Sequence, residues 1–166
     1  HTLGLRHNFR ASSIYSLKQL EDPEFTRKNG MAGSVMEYLA FNVAPVGTKQ
    51  GDLINTTLGP YDYWAIEYAY REIEPAEETA TLEKIASRSI EPALAYATDE
   101  DAGGYPTAVG IDPMVNRFDL GSDPLAYYKR RMMLNRELWD RAQARQLKPG
   151  ESYEKLAATL QYGFRE

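Results

Sequence analysis

The chain has 166 residues, a formal net charge of −5 from 24 acidic and 19 basic residues, and no cysteine. This length suffices for one domain, or one large subdomain, that buries about two thirds of the surface exposed by the unfolded chain. The basic residues are interleaved with acidic ones, so the charge pattern excludes a nucleic-acid-binding surface. The lack of cysteine excludes disulfides and thiolate metal sites, which leaves His, carboxylate and Tyr as metal ligands.

No apolar run approaches the ~20 residues of a membrane-spanning helix, so we expect no membrane span. The first residue is His1 rather than Met. We therefore expect the natural N-terminus, with any export signal, to lie upstream of this residue.

The first part of the chain, residues 1–57, is predicted to be rich in loops. The run HTLGLRH at 1–7 is predicted to be the tail of a helix that breaks at Gly4. A short helical stretch near Ser12–Leu20 should end before Asp22-Pro23, and the glycines at 30 and 33 mark a turn at 28–33.

The second part, residues 58–166, is predicted to be helical. Pro60 begins a helix in the segment PYDYWAIEYAYRE, because large side chains recur there at intervals of three and four residues. A second helix is predicted over 76–98, with a kink or break at Pro92. Residues 99–121 should be irregular, and helices over 122–146 and 152–164 should follow on either side of Pro149-Gly150. The expected fold is mainly α, with a loop-rich N-terminal part and a helical bundle.

The two histidines of the chain, His1 and His7, lie on either side of Gly4. On an unbroken helix six residues rotate by about 600°, so the two imidazoles would point more than about 100° apart. Gly4 has no Cβ and can adopt a positive φ, which ends the helix and turns His7 back toward His1. This spacing makes His1 and His7 candidate ligands of one metal ion.

The pattern His-x-x-Gly-x-x-His is the second half of His-Glu-x-x-His-x-x-Gly-x-x-His, in which the Glu is the general base. By this motif the sequence resembles the metzincin zinc peptidases. The run Gly-Ser-Val-Met-Glu-Tyr at 33–38 resembles their Met-turn, where a methionine forms an apolar floor under the zinc site. Met36 follows His7 by 29 residues, which is compatible with that order.

Tyr38 lies two residues after this methionine, where the astacin-like and serralysin-like branches carry a tyrosine close to the metal. The resemblance implies that its phenol ligates zinc in the resting enzyme and then moves to hydrogen-bond the tetrahedral intermediate. A phenol beside a dication is acidified and can stabilise a developing oxyanion. Tyr38 is therefore the candidate catalytic residue.

Longer runs extend the resemblance over most of the chain. The segments GLRHNF, LGPYDYWAIEY at 58–68 and RFDLGSDPLAYY at 117–128 are similar to a family of large bacterial zinc-dependent peptidases. In that family a long helical segment follows the Met-turn. The resemblance implies an exported endopeptidase, periplasmic or extracellular, whose partners are peptide or protein substrates.

The first His and the Glu of the full motif would occupy the four positions before residue 1. A catalytic zinc needs three protein ligands, an open position for water, and a base. By resemblance, zinc in the intact enzyme would be held by an upstream His together with His1 and His7. We therefore expect an upstream catalytic segment of the same chain as a partner, and expect residues 1–166 alone to bind zinc weakly and to hydrolyse nothing.

Several other features have a functional interpretation beside an ordinary one. The acidic loop could bind calcium, but its spacing fits no EF-hand, and a solvated turn with Asp caps is the ordinary alternative. The aromatic helix could line a substrate groove or simply pack the helical part, and Lys129-Arg130-Arg131 is typical of a solvated face. The acidic positions in question are Asp99, Glu100, Asp101, Asp112, Asp119 and Asp123.

The favoured interpretation is a mainly α C-terminal subdomain of a metzincin-like endopeptidase. Residues 1–57 would hold the end of the zinc motif and the Met-turn region, and residues 58–166 would form a helical subdomain. One alternative is a helical binding module with a coincidental motif, in which His1, His7 and Met36 would not converge. A second alternative is a degenerate peptidase that lost the Glu and kept the fold.

Overall fold

A computed structural model of the chain describes residues 1–102, 112–145 and 148–165. Within these ranges the regular structure is helical and no strand occurs. The chain forms two compact units, residues 1–124 and residues 125–166. The functional division predicted between residues 57 and 58 stays a prediction. Over the described ranges, none of the helices combines the length and the apolar character needed to cross a membrane.

Short helical elements follow the N-terminal turn. A 3-10 turn covers Ala11–Ile14, α1 covers Leu17–Leu20 and α2 covers Pro23–Asn29. The predicted single stretch over 12–20 is divided because residues 15 and 16 are extended, and the Ser16 hydroxyl accepts a hydrogen bond from the backbone N–H of Gln19 to cap α1. The helix α2 was not predicted; its start is fixed by the Asp22 side chain and by proline in the first turn.

The next helices are α3 over Pro60–Tyr70 and α4 over Glu78–Ala86. The helix α3 begins at Pro60 as predicted and ends two residues before the end of the predicted segment, because Arg71 is extended. The helix predicted over 76–98 is shorter, because α4 gives way to 3-10 turns at Ser87–Ile90 and Pro92–Leu94. At that point the Ser87 hydroxyl donates to the carbonyl of Lys84, and such local bonds compete with regular helix. The indole N–H of Trp64 donates to the carbonyl of Ile85 at 2.8 Å and joins α3 to α4.

The second unit is built from two helices over its described residues. Here α5 covers Pro124–Ala144, with proline at its start as predicted, and α6 covers Tyr153–Arg165. The predicted end of α5 near residue 146 lies outside the described residues. Between the helices Gly150 has a φ of +85°, a conformation that glycine adopts without strain.

A small core beside the N-terminal turn positions the histidine segment. Phe9 is fully buried and packs with Ala97 and Val115. Its backbone N–H donates to the carbonyl of Ala97 at 2.7 Å. His7 therefore lies two residues before the buried Phe9, whose contacts join the N-terminal turn to the segment that precedes Asp99.

Candidate metal centre

The N-terminal turn brings the two histidines together. Gly4 has a φ of +81°, and its backbone N–H donates to the carbonyl of His1 at 2.9 Å. Residues 1–7 form a turn rather than the tail of a helix, which corrects the prediction for this run. The Nε2 atoms of His1 and His7 lie 3.1 Å apart, with the ring centroids 4.6 Å apart.

The other nitrogen of each ring has its own partner. Nδ1 of His1 donates to the carbonyl of Leu5 at 2.9 Å, and Nδ1 of His7 donates to both carboxylate oxygens of Asp99 at 3.0 and 3.1 Å. With a hydrogen at each Nδ1, the two neutral rings point their Nε2 lone pairs at each other. Facing lone pairs repel, so a cation between the two Nε2 atoms would stabilise this arrangement.

The separation of the two nitrogens fits a zinc ion. Two nitrogens at about 2.0–2.1 Å from a tetrahedral zinc lie about 3.3 Å apart. The observed 3.1 Å between His1 and His7 is close to that value. No group of three or more His, Asp or Glu among residues 1–102, 112–145 and 148–165 is arranged to hold a metal ion. Among the described residues, the two imidazole nitrogens are therefore spaced so that they could ligate one ion, and no third ligand lies beside them.

Asp99 lies between two arginines as well as beside His7. The guanidinium groups of Arg6 and Arg117 lie 3.9 and 3.8 Å from its carboxylate oxygens. Desolvation raises the pKa of Asp99, but the hydrogen bond from His7 and the attraction of His7 and Arg117 outweigh it and hold the pKa below its ordinary value. The group is therefore ionised at neutral pH and accepts the hydrogen of His7 Nδ1.

The segment of residues 33–38, called here the 33–38 segment, lies against the histidine turn. The carbonyl of Met36 accepts a hydrogen bond from the backbone N–H of Asn8 at 3.0 Å, and Met36 is buried. The ring of Tyr38 contacts the ring of His7 edge to face, with centroids 4.5 Å apart. The structure thus brings together His1, His7 and Tyr38, the three residues that the sequence analysis singled out. The binding-module alternative predicts that His1, His7 and Met36 do not converge, whereas the backbone of Met36 bonds Asn8, the residue after His7.

Tyr38 is also held from its other side by Phe118. The two rings are stacked at 5.9 Å, and the backbone N–H of Phe118 donates to the carbonyl of Tyr38 at 2.7 Å. Phe118 has a φ of +61°, the one positive value at a non-glycine position in the described chain. A bulky residue pays a steric cost in this conformation, which marks a position constrained by its surroundings.

The first turn of α3 is hydrogen-bonded to the 33–38 segment. The carboxylate of Asp62 accepts hydrogen bonds from the Ser34 hydroxyl at 2.6 Å, from the Val35 N–H at 2.9 Å and from the Gly59 N–H at 2.8 Å. The Ser34 hydroxyl in turn accepts from the N–H of Met36 at 3.0 Å. One buried carboxylate therefore fixes both the first turn of α3 and the conformation that carries Met36.

Two further acidic groups are buried, Glu37 within the 33–38 segment and Asp119. Burial raises the pKa of Glu37 to about 8, and the neighbouring Asp119 adds to the rise, although hydrogen bonds from the backbone of Ser12 and Tyr38 oppose it. Burial raises the pKa of Asp119 to about 6.

The acidic residues considered as calcium ligands have separate partners. Asp99 bonds His7, Glu100 bonds Arg6, and the carboxylate of Asp101 accepts from the backbone of Thr98. A further pair joins Asp112 to Arg10. The carboxylates of Asp99, Glu100, Asp101 and Asp112 thus bond different groups and do not form one cluster among the described residues.

Two residues that contact the histidine turn or the 33–38 segment, Asp99 and Asp62, were not predicted from the sequence. Asp99 was one of several acids in a loop, and its pairing with His7 spans 92 positions of the sequence, so no local pattern indicated it. Asp62 was hidden in an aromatic-rich helix. Its position three residues after Gly59 at a helix start was the available signal, because an acidic side chain in the first turn can cap the backbone before it.

The comparisons with known proteins give one match. The chain matches the family model described as Met-zincin over residues 1–165. No curated protein and no solved structure matches it. The match covers the histidine turn, the 33–38 segment and helices α1 to α6. The chain therefore belongs to the Met-zincin family.

Proposed function

We propose that His1 and His7 are two of three protein ligands of a catalytic zinc in an endopeptidase, of which this chain is a helical C-terminal subdomain. The family implies zinc binding and peptide substrates for the intact enzyme. The observation that carries the proposal is the 3.1 Å separation of the two Nε2 atoms, each in a ring whose hydrogen is held elsewhere. When bound, zinc would supply an acidified water molecule and polarise the substrate carbonyl.

The two imidazoles are preoriented for this task. The turn at Gly4 sets their separation, while the carbonyl of Leu5 and the carboxylate of Asp99 hold the ring orientations. A ligand that is already oriented loses little freedom on binding, which favours affinity. The third ligand and the general base are proposed to precede His1 in the same protein.

Tyr38 is proposed to donate its phenol hydrogen to the oxyanion that develops on the substrate carbonyl. Its ring lies against His7 and is nearly half exposed, with 44 % of its surface accessible. A phenol can therefore approach a substrate from beside the histidine pair. Met36 is proposed to support the site with its buried side chain.

The experiment compares the 166-residue chain with an extended protein that carries the natural residues before His1. Zinc affinity is measured by competition with a chromophoric chelator, and hydrolysis by cleavage of a fluorogenic peptide library. We expect tight zinc binding and cleavage by the extended protein alone. Failure of the extended protein to bind zinc would overturn the proposal.

Three substitutions in the extended protein test the roles. His1→Ala and His7→Ala should each weaken zinc binding by more than about 100-fold, because loss of an outer-shell partner alone costs about 10- to 100-fold. Tyr38→Phe should keep the zinc affinity and lower kcat by about 100-fold, the cost typical of one lost oxyanion donor. In the 166-residue chain the α-amino group and imidazole of His1 can chelate a stray ion, and binding there that is insensitive to His7→Ala identifies this artefact.

A further inference from the structure

Among the acidic residues near the histidine pair, Asp99 has the geometry of a positioning residue. Its two carboxylate oxygens lie 3.0 and 3.1 Å from Nδ1 of His7. The His7 side chain is only 16 % exposed, whereas that of Asp99 is 39 % exposed. The carboxylate therefore covers the nitrogen that faces away from His1.

This contact selects one tautomer of His7. An ionised carboxylate accepts and does not donate, so the ring hydrogen must lie on Nδ1 and the lone pair on Nε2. Nε2 is the atom that lies 3.1 Å from the Nε2 atom of His1. A carboxylate partner also makes the imidazole a stronger electron donor than a backbone carbonyl does, and it fixes the ring plane.

The backbone that carries Asp99 is held by hydrogen bonds that do not involve the Asp99 carboxylate, beside a long contact of 3.4 Å from the Thr98 hydroxyl to that carboxylate. The Asn8 side chain donates to the carbonyl of Ala95 at 3.1 Å and accepts from the N–H of Ala97 at 3.3 Å. The carboxylate of Asp101 accepts from the N–H of Thr98 at 2.9 Å and closes the turn. Removal of the Asp99 carboxylate should therefore leave the path of residues 95–101 unchanged.

We infer that Asp99 is the positioning residue of the zinc ligand His7, which it holds in the tautomer and ring orientation that present Nε2 to the metal. The inference rests on the proposed function, since it assigns the partner of one ligand at the same site. It differs from a simple ion-pair role, in which Asp99 would only neutralise Arg6 and Arg117 and would not affect His7.

Glu100 provides the matched control. It is the next residue, carries the same charge and bonds Arg6 through both oxygens at 2.8 Å, and no contact joins it to His7 in the described structure. Asp99→Ala and Glu100→Ala therefore each remove one carboxylate that faces Arg6, but only the first removes the partner of Nδ1.

The test uses two measurements on both variants. In the extended protein, zinc affinity from chelator competition should fall about 10- to 100-fold for Asp99→Ala, the usual effect of losing an outer-shell partner, and change less than about twofold for Glu100→Ala. Asp99→Asn keeps an acceptor without the charge and should fall between them. In the metal-free protein, imidazole ¹⁵N spectra should show a single Nδ1–H tautomer of His7 in the wild type and in Glu100→Ala, and a mixture in Asp99→Ala. His1, held by the carbonyl of Leu5, should keep its tautomer in every variant.

Equal zinc affinities of Asp99→Ala and Glu100→Ala, or an unchanged His7 tautomer in Asp99→Ala, would overturn the inference about Asp99 alone. A wild-type extended protein that binds no zinc, or zinc binding that is insensitive to His7→Ala, would overturn the proposed function as well. The Asp99, Glu100 and His7 variants are measured together. A failure of the inference about Asp99 can therefore be distinguished from a failure of the proposed function.

Discussion

The carboxylate of Asp62 accepts a hydrogen bond from the hydroxyl of Ser34 at 2.6 Å. This bond links two positions 28 residues apart and ties the first turn of α3 to the 33–38 segment. The side chains that lie near His7 therefore depend on a helix start that is distant in the sequence.

Substitution of Asp62 by Asn should destabilise the protein by about 2–4 kcal/mol, because bonds to a charged acceptor are worth about 1.5–3 kcal/mol each and a buried amide cannot replace all three. Urea unfolding monitored by circular dichroism measures the loss. Asp140→Asn, which changes an exposed acid on α5, is the control and should lie within about 0.5 kcal/mol of the wild type. Equal stability of the two variants would contradict the anchoring role of Asp62.

Gly59 has no room for a side chain. A Cβ at this position would collide with the carbonyl group of Gly33, although the backbone conformation itself suits any residue. Gly59→Ala should therefore cost about 3 kcal/mol, at the upper end for overpacking. It should also weaken zinc binding by the extended protein, because the backbone that must shift carries the 33–38 segment.

Gly47→Ala separates this steric effect from backbone strain. Gly47 has a φ of +86°, and no atom lies within 4 Å of the position that a Cβ would take, so its substitution meets strain without collision. The expected cost is about 1 kcal/mol, with unchanged zinc affinity. If Gly59→Ala were at least as stable as Gly47→Ala, the close contact between Gly59 and the carbonyl group of Gly33 would not contribute to the stability of the fold.

Because Phe118 has a left-handed backbone conformation, we expect its glycine variant to be more stable than its alanine variant, the reverse of the usual order. Both Phe118→Ala and Phe118→Gly lose the stacking on Tyr38, but only glycine relieves the strain, so the glycine variant should be more stable by about 1 kcal/mol. At Phe41, which is 74 % exposed and has no positive φ, the alanine variant should be the more stable one. Thermal unfolding of the four variants checks the comparison. If the same substitution gave the more stable variant at both Phe118 and Phe41, backbone strain at Phe118 would be contradicted.

The buried carboxyl of Asp119 predicts a stability that falls as pH rises. Its pKa is about 6 in the folded protein against an ordinary 3.8, so between these values the folded state holds a proton that the unfolded state has lost. Stability should decline from about pH 4 to about pH 6 by at most about 3 kcal/mol and stay low above that range.

Asp119→Asn should remove the part of the decline of stability with pH that Asp119 causes. The neighbouring Glu37 contributes a decline of the same sign in both the variant and the wild type. The urea midpoints of the variant and the wild type, measured from pH 4 to pH 8, should therefore diverge as pH rises. Asp140→Asn is again the control, since an exposed acid should leave the curve parallel to that of the wild type. Parallel curves for Asp119→Asn would mean that Asp119 is ionised as readily in the folded as in the unfolded chain.

Much of the organisation could be predicted from local patterns. The start of α3 at Pro60, the start of α5 at Pro124 and the break near Pro92 follow from proline chemistry, which acts on neighbouring residues only. The break between the 3-10 turn and α1, the helix α2 and the early end of α4 were not predicted. Single side-chain caps decided them, and their effect is smaller than that of a proline.

The sequence by itself determined the family, the candidate ligands His1 and His7, and the candidate catalytic residue Tyr38. Two short motifs, one around Gly4 and one at 33–38, each carry this information within a few residues. Only the tertiary structure decided what surrounds them. The pairing of His7 with Asp99, the bond from Ser34 to Asp62 and the stacking of Phe118 on Tyr38 each join residues at least 28 positions apart. Such contacts depend on the path of the folded backbone, which local residue preferences do not specify.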